Sequence, residues 1–331
     1  MKIYNIDMHI SIVHDVKTIF TNLGHEVESV CMSGHTWVNN EQQKITSVVN
    51  PNNWTQIDQD MCDRFYEKYK TKLRDVDVFV HSYPPAFALL FEKFNKPIIT
   101  IACTRFDYPC TTKEKLNWLI DGLQRLHSKG QLVPVANNLF DKQYCEEYTN
   151  FKWEYISSLC DYMESRYNPT SDKFIVWNRS NVDLTHSLID STFTISRPYN
   201  RNDNAHYKGI IHIPYNISIM SAFEHYYSNI PLFVPTISCL EQWAKQGYNV
   251  LSEIYFPNKQ LKIKKQWLEL SDWYIEDNMP HTVKFESEED LYTKLKTVNL
   301  KEVASSMQAK NIQRKEEIYN KWKTVLNQIS S

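Results

Sequence analysis

Apolar positions in this chain alternate between short continuous runs and a helical repeat. Met1 to Asp7 is a compact, largely apolar segment that predicts a strand. Ile12, Val13, Val16, Ile19, Phe20 and Leu23 then recur at i, i+1, i+4, i+7, i+8 and i+11, which places them on one face of an amphipathic helix. Gly24 stands where that helix would stop, and His25 to Cys31 predicts a second strand. A strand, helix, glycine and strand in this order begin a right-handed βαβ unit.

The alternation continues. A helix is expected near Gln56–Leu73, a buried strand over Asp77–Ser82, a helix over Ala86–Phe94 and a strand over Pro97–Cys103. Thr112–Lys129 predicts a helix with Leu116, Leu119, Ile120, Leu123 and Leu126 on one side, followed by a short strand at Val133–Val135 and a helix over Asp141–Tyr148. This order predicts a parallel, doubly wound sheet. Arg166–Lys173 is polar and contains a proline, so it suits a domain boundary. Beyond it come a strand at Phe174–Trp177, a helix or turn over Asp183–Ile189 and a strand at Thr192–Ser196. Later elements are a strand at Val283–Phe285, a helix capped by Ser287 with an acidic first turn, and a long polar helix over Lys301–Ile329. The Trp- and Lys-rich region between Ser238 and Asn278 shows no clear period.

One stretch, His212 to Pro235, reads as loop, helix and short buried strand. Pro214 and Asn216 punctuate the loop, Ser218 can cap the helix, and Met220, Phe223 and Tyr227 share an apolar face. Asn229 suits the helix end, and Ile230–Val234 suits a parallel strand. A helix start exposed by such a loop offers N–H groups and a positive dipole end to a phosphate. Glu224 lies nearly two turns in, within reach of a sugar hydroxyl rather than of the cap.

At 331 residues the chain suits two domains, and 42% apolar with 23% charged residues is ordinary globular composition. Its 20 Tyr, 15 Phe and 9 Trp can fill cores and supply stacking surfaces. With only 6 Gly, neither the dinucleotide fingerprint nor the P-loop pattern occurs. A net charge of −2 gives no long-range pull toward nucleic acid, which is not expected as a partner. Seven scattered cysteines without a C-x-x-C pair suit a reduced, cytosolic chain; the Asn-, Lys-, Ile- and Tyr-rich composition suits an AT-rich genome, that of a virus or of an amoebal or bacterial parasite, and for a viral source the compartment is the host cytosol. Asn53, Asn178 and Asn216 match the glycosylation pattern by chance on this reading, and no apolar run has the length of a membrane span.

Three local signals, in this order along the chain, resemble the GT-B fold glycosyltransferases. His9-Ile-Ser-Ile-Val-His-Asp with Leu23-Gly-His-Glu-Val27 is similar to the first loop, helix and strand of their acceptor-side domain. Glu224 followed by Ile230-Pro231 is similar to the region where a Glu holds the nucleotide ribose, and the long last helix is similar to the one that crosses back onto the first domain. The resemblance implies an α/β fold class, with two Rossmann-like domains facing across a cleft. Residues 1–168 would form the acceptor-side domain, 169–304 the nucleotide-sugar domain, and 305–331 a helix packing back toward the first. It implies a hexosyl- or pentosyltransferase using a UDP- or GDP-sugar as donor and a glycan or related hydroxyl as acceptor, with no metal or other cofactor. The sequence departs from the pattern at Asn216, where retaining members carry the first Glu of Glu-x7-Glu, and at Asn229, where a Gly is usual. The missing Glu favours an inverting mechanism.

Such chemistry must stabilise a departing diphosphate and deprotonate the acceptor. The donor-side candidates are the chain at Asn216, Ile217 and Ser218, Glu224, His212, and Arg179 or Arg197, each arginine placed after an expected strand where open α/β sheets bind ligands. The base candidates are His9, whose spacing to Gly24 resembles that of the histidine of inverting members, and Asp107, which resembles the Asp base of the phage DNA β-glucosyltransferase. Asp7 and His14 are alternatives. Tyr83, Trp118 and Asn138 are expected on the acceptor side. Asp75 and Asp77 have the D-x-D spacing of metal-dependent transferases, but precede a buried strand. Two rival readings are a DNA-base glucosyltransferase of the same fold and a non-catalytic binding protein on a decayed transferase fold.

Overall fold

Two parallel sheets organise the chain. In the computed structural model, residues 1–39, 41–108, 110–190, 200–252, 261 and 263–330 are described. They divide into two units, the first made of Met1–Ser158 with the chain from Ile318 onward, the second of the described residues of 159–252 and 263–317.

In the first unit the strands are β1 (Lys2–Asp7), β2 (Glu26–Cys31), β3 (Val78–His81), β4 (Ile98–Ala102), β5 (Leu132–Ala136) and β6 (Glu154–Tyr155). They lie in the order β2-β1-β3-β4-β5-β6, and every pair is parallel. The helices are α1 (Ile10–Asn22), α2 (Gln59–Tyr69), α3 (Lys113–Ser128) and α4 (Leu139–Thr149). The period seen in the sequence is the buried face of α1, with Ile12, Val13, Val16, Ile19 and Phe20 all at 3% exposure or less. Helix α2 is shorter than expected because Asp58 caps it, its side chain accepting the Met61 N–H.

Ala86–Phe94, expected as a helix, lies in a 3-10 segment, Pro85–Phe94, instead. Its run from Pro85 to Phe91 is buried on every side, so no solvent face selects the 3.6-residue period. Phe91 stacks on Phe79 of β3 at 4.3 Å, and Leu89 meets α3 at Gly122, where a Cβ would lie 2.6 Å from Leu89 Cδ2. Within this unit Trp322 of the last helix, α8 (Leu300–Ser330, once α5–α7 below are counted), meets Phe20 edge-on at 5.0 Å.

The second unit holds β7 (Phe174–Asn178), β8 (Ile189–Asp190), β9 (Ile210–Ile213), β10 (Leu232–Pro235) and β11 (Val283–Phe285) in the order β11-β10-β9-β7-β8, again all parallel. Its helices are α5 (Met220–Tyr227), α6 (Ile237–Lys245) and α7 (Glu288–Thr297). Phe174, Phe233, Trp243, Phe285 and Leu291 share its core. Residues 183–186 are irregular and 187–188 turn into β8, so no helix forms there, and the strand expected at Thr192–Ser196 lies outside the described residues. The patternless region after Ser238 contains α6 and two short 3-10 segments, Lys265–Leu270 and Asp272–Tyr274.

The two Rossmann-like α/β units and the long C-terminal helix are the fold class expected. No described helix is long and apolar enough to cross a membrane.

Candidate active site

Each sheet reverses its winding at its first strand. β1 lies between β2 and β3, and β7 lies between β8 and β9. Connections leave such a strand toward opposite faces, which opens a ligand crevice at the carboxyl ends of the strands.

In the first unit that crevice is floored by Asp7, the wholly buried last residue of β1. The Ser82 amide and hydroxyl donate to one carboxylate oxygen at 2.6 and 2.7 Å. The His9 and Tyr83 amides donate to the other at 2.9 and 3.2 Å. Burial raises this carboxyl to about 6 in spite of those four bonds. Asp7 therefore ties the start of α1 to the end of β3, and so fixes His9 and Tyr83 side by side. His9, half-buried, occupies the N-cap position of α1. The Tyr83 ring stacks on Tyr108 at 5.4 Å and 8°, and Trp54 leans on both at 5.3 and 5.4 Å. Trp54 and Tyr108 escaped the sequence reading. Trp54 opens a short 3-10 turn, Trp54–Gln56, and Tyr108 lies in a loop, both far from Tyr83 in the chain, and no local spacing marks them.

The other first-unit candidates stand differently. Asp107 is not at a crevice surface: it is fully buried, receives Arg105 Nη2 at 3.2 Å and the Tyr144 hydroxyl at 3.1 Å, and burial raises its carboxyl. Asn138 is a buried helix cap instead of an acceptor ligand. Its Oδ1 accepts the Asp141 N–H at 2.7 Å, while its amide donates to Asn137 and Asp141. Trp118 lies half-buried on α3 and shares with Tyr108 a surface cavity of about 740 Å³. The Asp75/Asp77 pair sits before β3, at the opposite end of that strand from the crevice, and Asp77 accepts the Lys2 N–H at 2.7 Å. His14 faces Glu41 at 3.2 Å.

In the second unit Arg179 follows the last residue of β7 and is exposed. Its guanidinium lies 4.3 Å from the ring centroid of Tyr215, two residues beyond the end of β9. This contact joins the two strand ends at the winding reversal. The loop to α5 differs in detail from expectation. Helix α5 begins at Met220 with Ile219 in the cap position and no side-chain cap, so Ser218 does not cap it. Ser218 is one residue too early, and its hydroxyl donates to Asp272 at 2.6 Å. The Asn216 side chain accepts the Ile217 N–H at 2.8 Å, which settles that amide within the loop.

His212 is a strand residue of β9 with no exposed surface, packed edge-on against Trp273 at 5.1 Å. Burial pushes its imidazole down to about 3, so it is neutral in the folded chain. Glu224 is 7% exposed; its Oε1 receives the Tyr162 hydroxyl at 2.6 Å and Arg201 Nη1 at 2.8 Å. Tyr162 and Arg201 lie 62 and 23 residues away, so sequence spacing could not announce them. Arg197 lies outside the described residues. Among the described residues no three His, Cys, Asp or Glu side chains converge as a metal site.

No family model and no curated protein sequence matches the chain. Solved structures are similar over its full length, among them glycosyltransferases. The glycotransferase of kitacinnamycin shares 9% identity over 99% of this chain and 98% of its own, with a TM-score of 0.48. SnogD, a glycosyltransferase of Streptomyces nogalater, shares 10% over 98% of each chain at 0.44. MnaA of S. aureus, solved with UDP, shares 14% over 100% of this chain and 98% of its own at 0.43. With TM-scores below 0.5, these likenesses add nothing to what the two sheets define.

Proposed function

We propose that the chain is a glycosyltransferase of GT-B layout that moves a sugar from a nucleoside-diphosphate sugar to a hydroxyl of a glycan or related acceptor. The observation that carries this reading is the pairing of Arg179 with Tyr215 at the winding reversal of the second sheet. An exposed cation at that carboxyl edge, next to a loop that enters a helix, suits a diphosphate. Arg179 would oppose the charge that grows on the leaving diphosphate, without recourse to a metal. On the first unit the Tyr83, Tyr108 and Trp54 rings offer apolar faces to an acceptor sugar. His9 takes the acceptor proton in this reading, because Asp107 has no exposed surface and already accepts two hydrogen bonds. A direct displacement with one base inverts the anomeric centre. Thermal-shift titration with UDP-, GDP- and dTDP-sugars tests the donor half, and assignment of the product anomer tests the stereochemistry. Absence of any shift at millimolar nucleotide sugar overturns the reading; a shift without slow donor hydrolysis makes the chain a binding protein.

A further inference from the structure

We propose that the outer face of the first unit carries an extended binding groove for a neutral oligosaccharide, with Trp118 at its centre. This rests on the transferase reading, in that the groove would hold the tail of the acceptor. Two surface cavities of about 640 and 740 Å³ lie end to end here, and Gln59 and Trp118 line both. The larger opens at the start of α3, beside Tyr108, whose ring is stacked on Tyr83 of the crevice. The smaller continues along α3 as far as Arg125 and Lys129. From Lys115 to Lys129 the helical rise of 1.5 Å per residue spans about 20 Å, more than a single sugar ring needs.

The chemistry of the walls selects the ligand. The indole of Trp118 is half-buried and offers an aromatic surface between the two cavities, as the C–H face of a pyranose requires. The charges are spent on one another. Lys93 pairs with Asp63 at 2.9 Å, and Arg125 and Lys129 both pair with Glu92 at 2.7 and 2.9 Å. Those cations hold the Glu92 carboxyl down at about 2. In the upper cavity Lys115 donates to the Thr55 carbonyl at 2.6 Å and faces Asp58 and Glu114 along the same wall. Cations and carboxylates balance over the whole groove, so it has no surplus charge to hold the phosphates of a nucleic acid or a strongly acidic glycan. Paired carboxylates and amides such as Gln59 suit hydroxyl groups instead.

The test is isothermal titration of the whole protein with neutral oligosaccharides of hexose and N-acetylhexosamine, two to seven units long, beside a single-stranded oligonucleotide and a sulfated hexasaccharide. Expected is binding of at least one neutral series, tightening with length, and weakened tenfold or more in Trp118→Ala but restored in Trp118→Phe. Gln59→Ala, at an exposed position, is expected to weaken the same ligand without loss of fold. No neutral binding, binding that ignores length or Trp118, or binding of the charged probes alone overturns the groove. Slow hydrolysis of nucleotide sugar by the wild type is scored separately: hydrolysis without glycan binding removes the groove and leaves the transferase, and glycan binding without donor binding does the reverse.

Discussion

Glu224 Oε1 lies 2.8 Å from Arg201 Nη1, and both side chains are more than nine-tenths buried. The residue that the sequence marks for the nucleotide ribose is thus half of a buried ion pair. Its first duty is to neutralise Arg201. Removing one member of such a pair leaves an uncompensated charge and costs about 3–5 kcal/mol. Arg201→Met and Glu224→Ala are each expected to lower stability on that scale in urea melts. Glu224→Gln, which keeps an acceptor for Tyr162, should cost less. If Glu224→Ala melts as the wild type does, the pair has no structural weight.

Arg179 is exposed, and its guanidinium lies over the ring of Tyr215. Arg179→Ala should leave the melting temperature of the free protein unchanged. A lost charge-assisted contact of about 1.5–3 kcal/mol corresponds to a ten- to hundredfold weaker donor Kd. Titration calorimetry with the nucleotide sugar that gives the largest thermal shift measures it, and an unaltered Kd removes Arg179 from the donor site.

His9 and Asp107 separate by what each variant loses. His9→Ala should lower kcat about a hundredfold or more while the protein melts normally. Asp107→Asn breaks the buried contact with Arg105, so it should lower the melting temperature, with kcat falling only in proportion to the folded fraction. Turnover and melting curves on both variants decide, and near-wild-type kcat in His9→Ala ends its part as the base.

The carboxyl of Asp7 has a higher pKa in the folded chain, about 6, than its ordinary 3.8. The folded state therefore binds more protons than the unfolded state between those values, and stability falls as pH rises through that window. By linkage the loss is about 3 kcal/mol, complete above pH 6. Asp141, raised to about 7 by burial, extends the fall toward neutrality. Urea midpoints measured from pH 4 to 7 should decline in the wild type, and Asp7→Asn should flatten the part between 4 and 6. An unchanged slope in that variant shows that Asp7 does not titrate there.

Much of the fold was legible because its signals are local. The α1 period, Gly24 at its end and the runs of β1, β3 and β4 each depend on neighbours within a turn or a strand. Thr112 and Ser287 cap α3 and α7 through amides three residues on. The failures share another cause. Pro85–Phe94 carried apolar residues at every position, and such a run does not specify its own period. Ser218 looked like a cap, but its partner Asp272 is 54 residues distant.

By itself the sequence determined two α/β units with parallel strands, because strand and helix periods are written in adjacent residues. It also singled out Asp7, His9, Tyr83 and Arg179, all near the carboxyl ends of strands that winding places at crevices. Only the tertiary structure decided which of the candidates are spent on the protein itself. His212 disappears under Trp273, Asn138 caps α4, Asp107 meets Arg105, and Glu224 meets Arg201. It also decided that Trp54 and Tyr108 join Tyr83. The physical reason is the same in each case: burial and pairing depend on chain segments brought together by strand order, and no period within one segment encodes its distant partner.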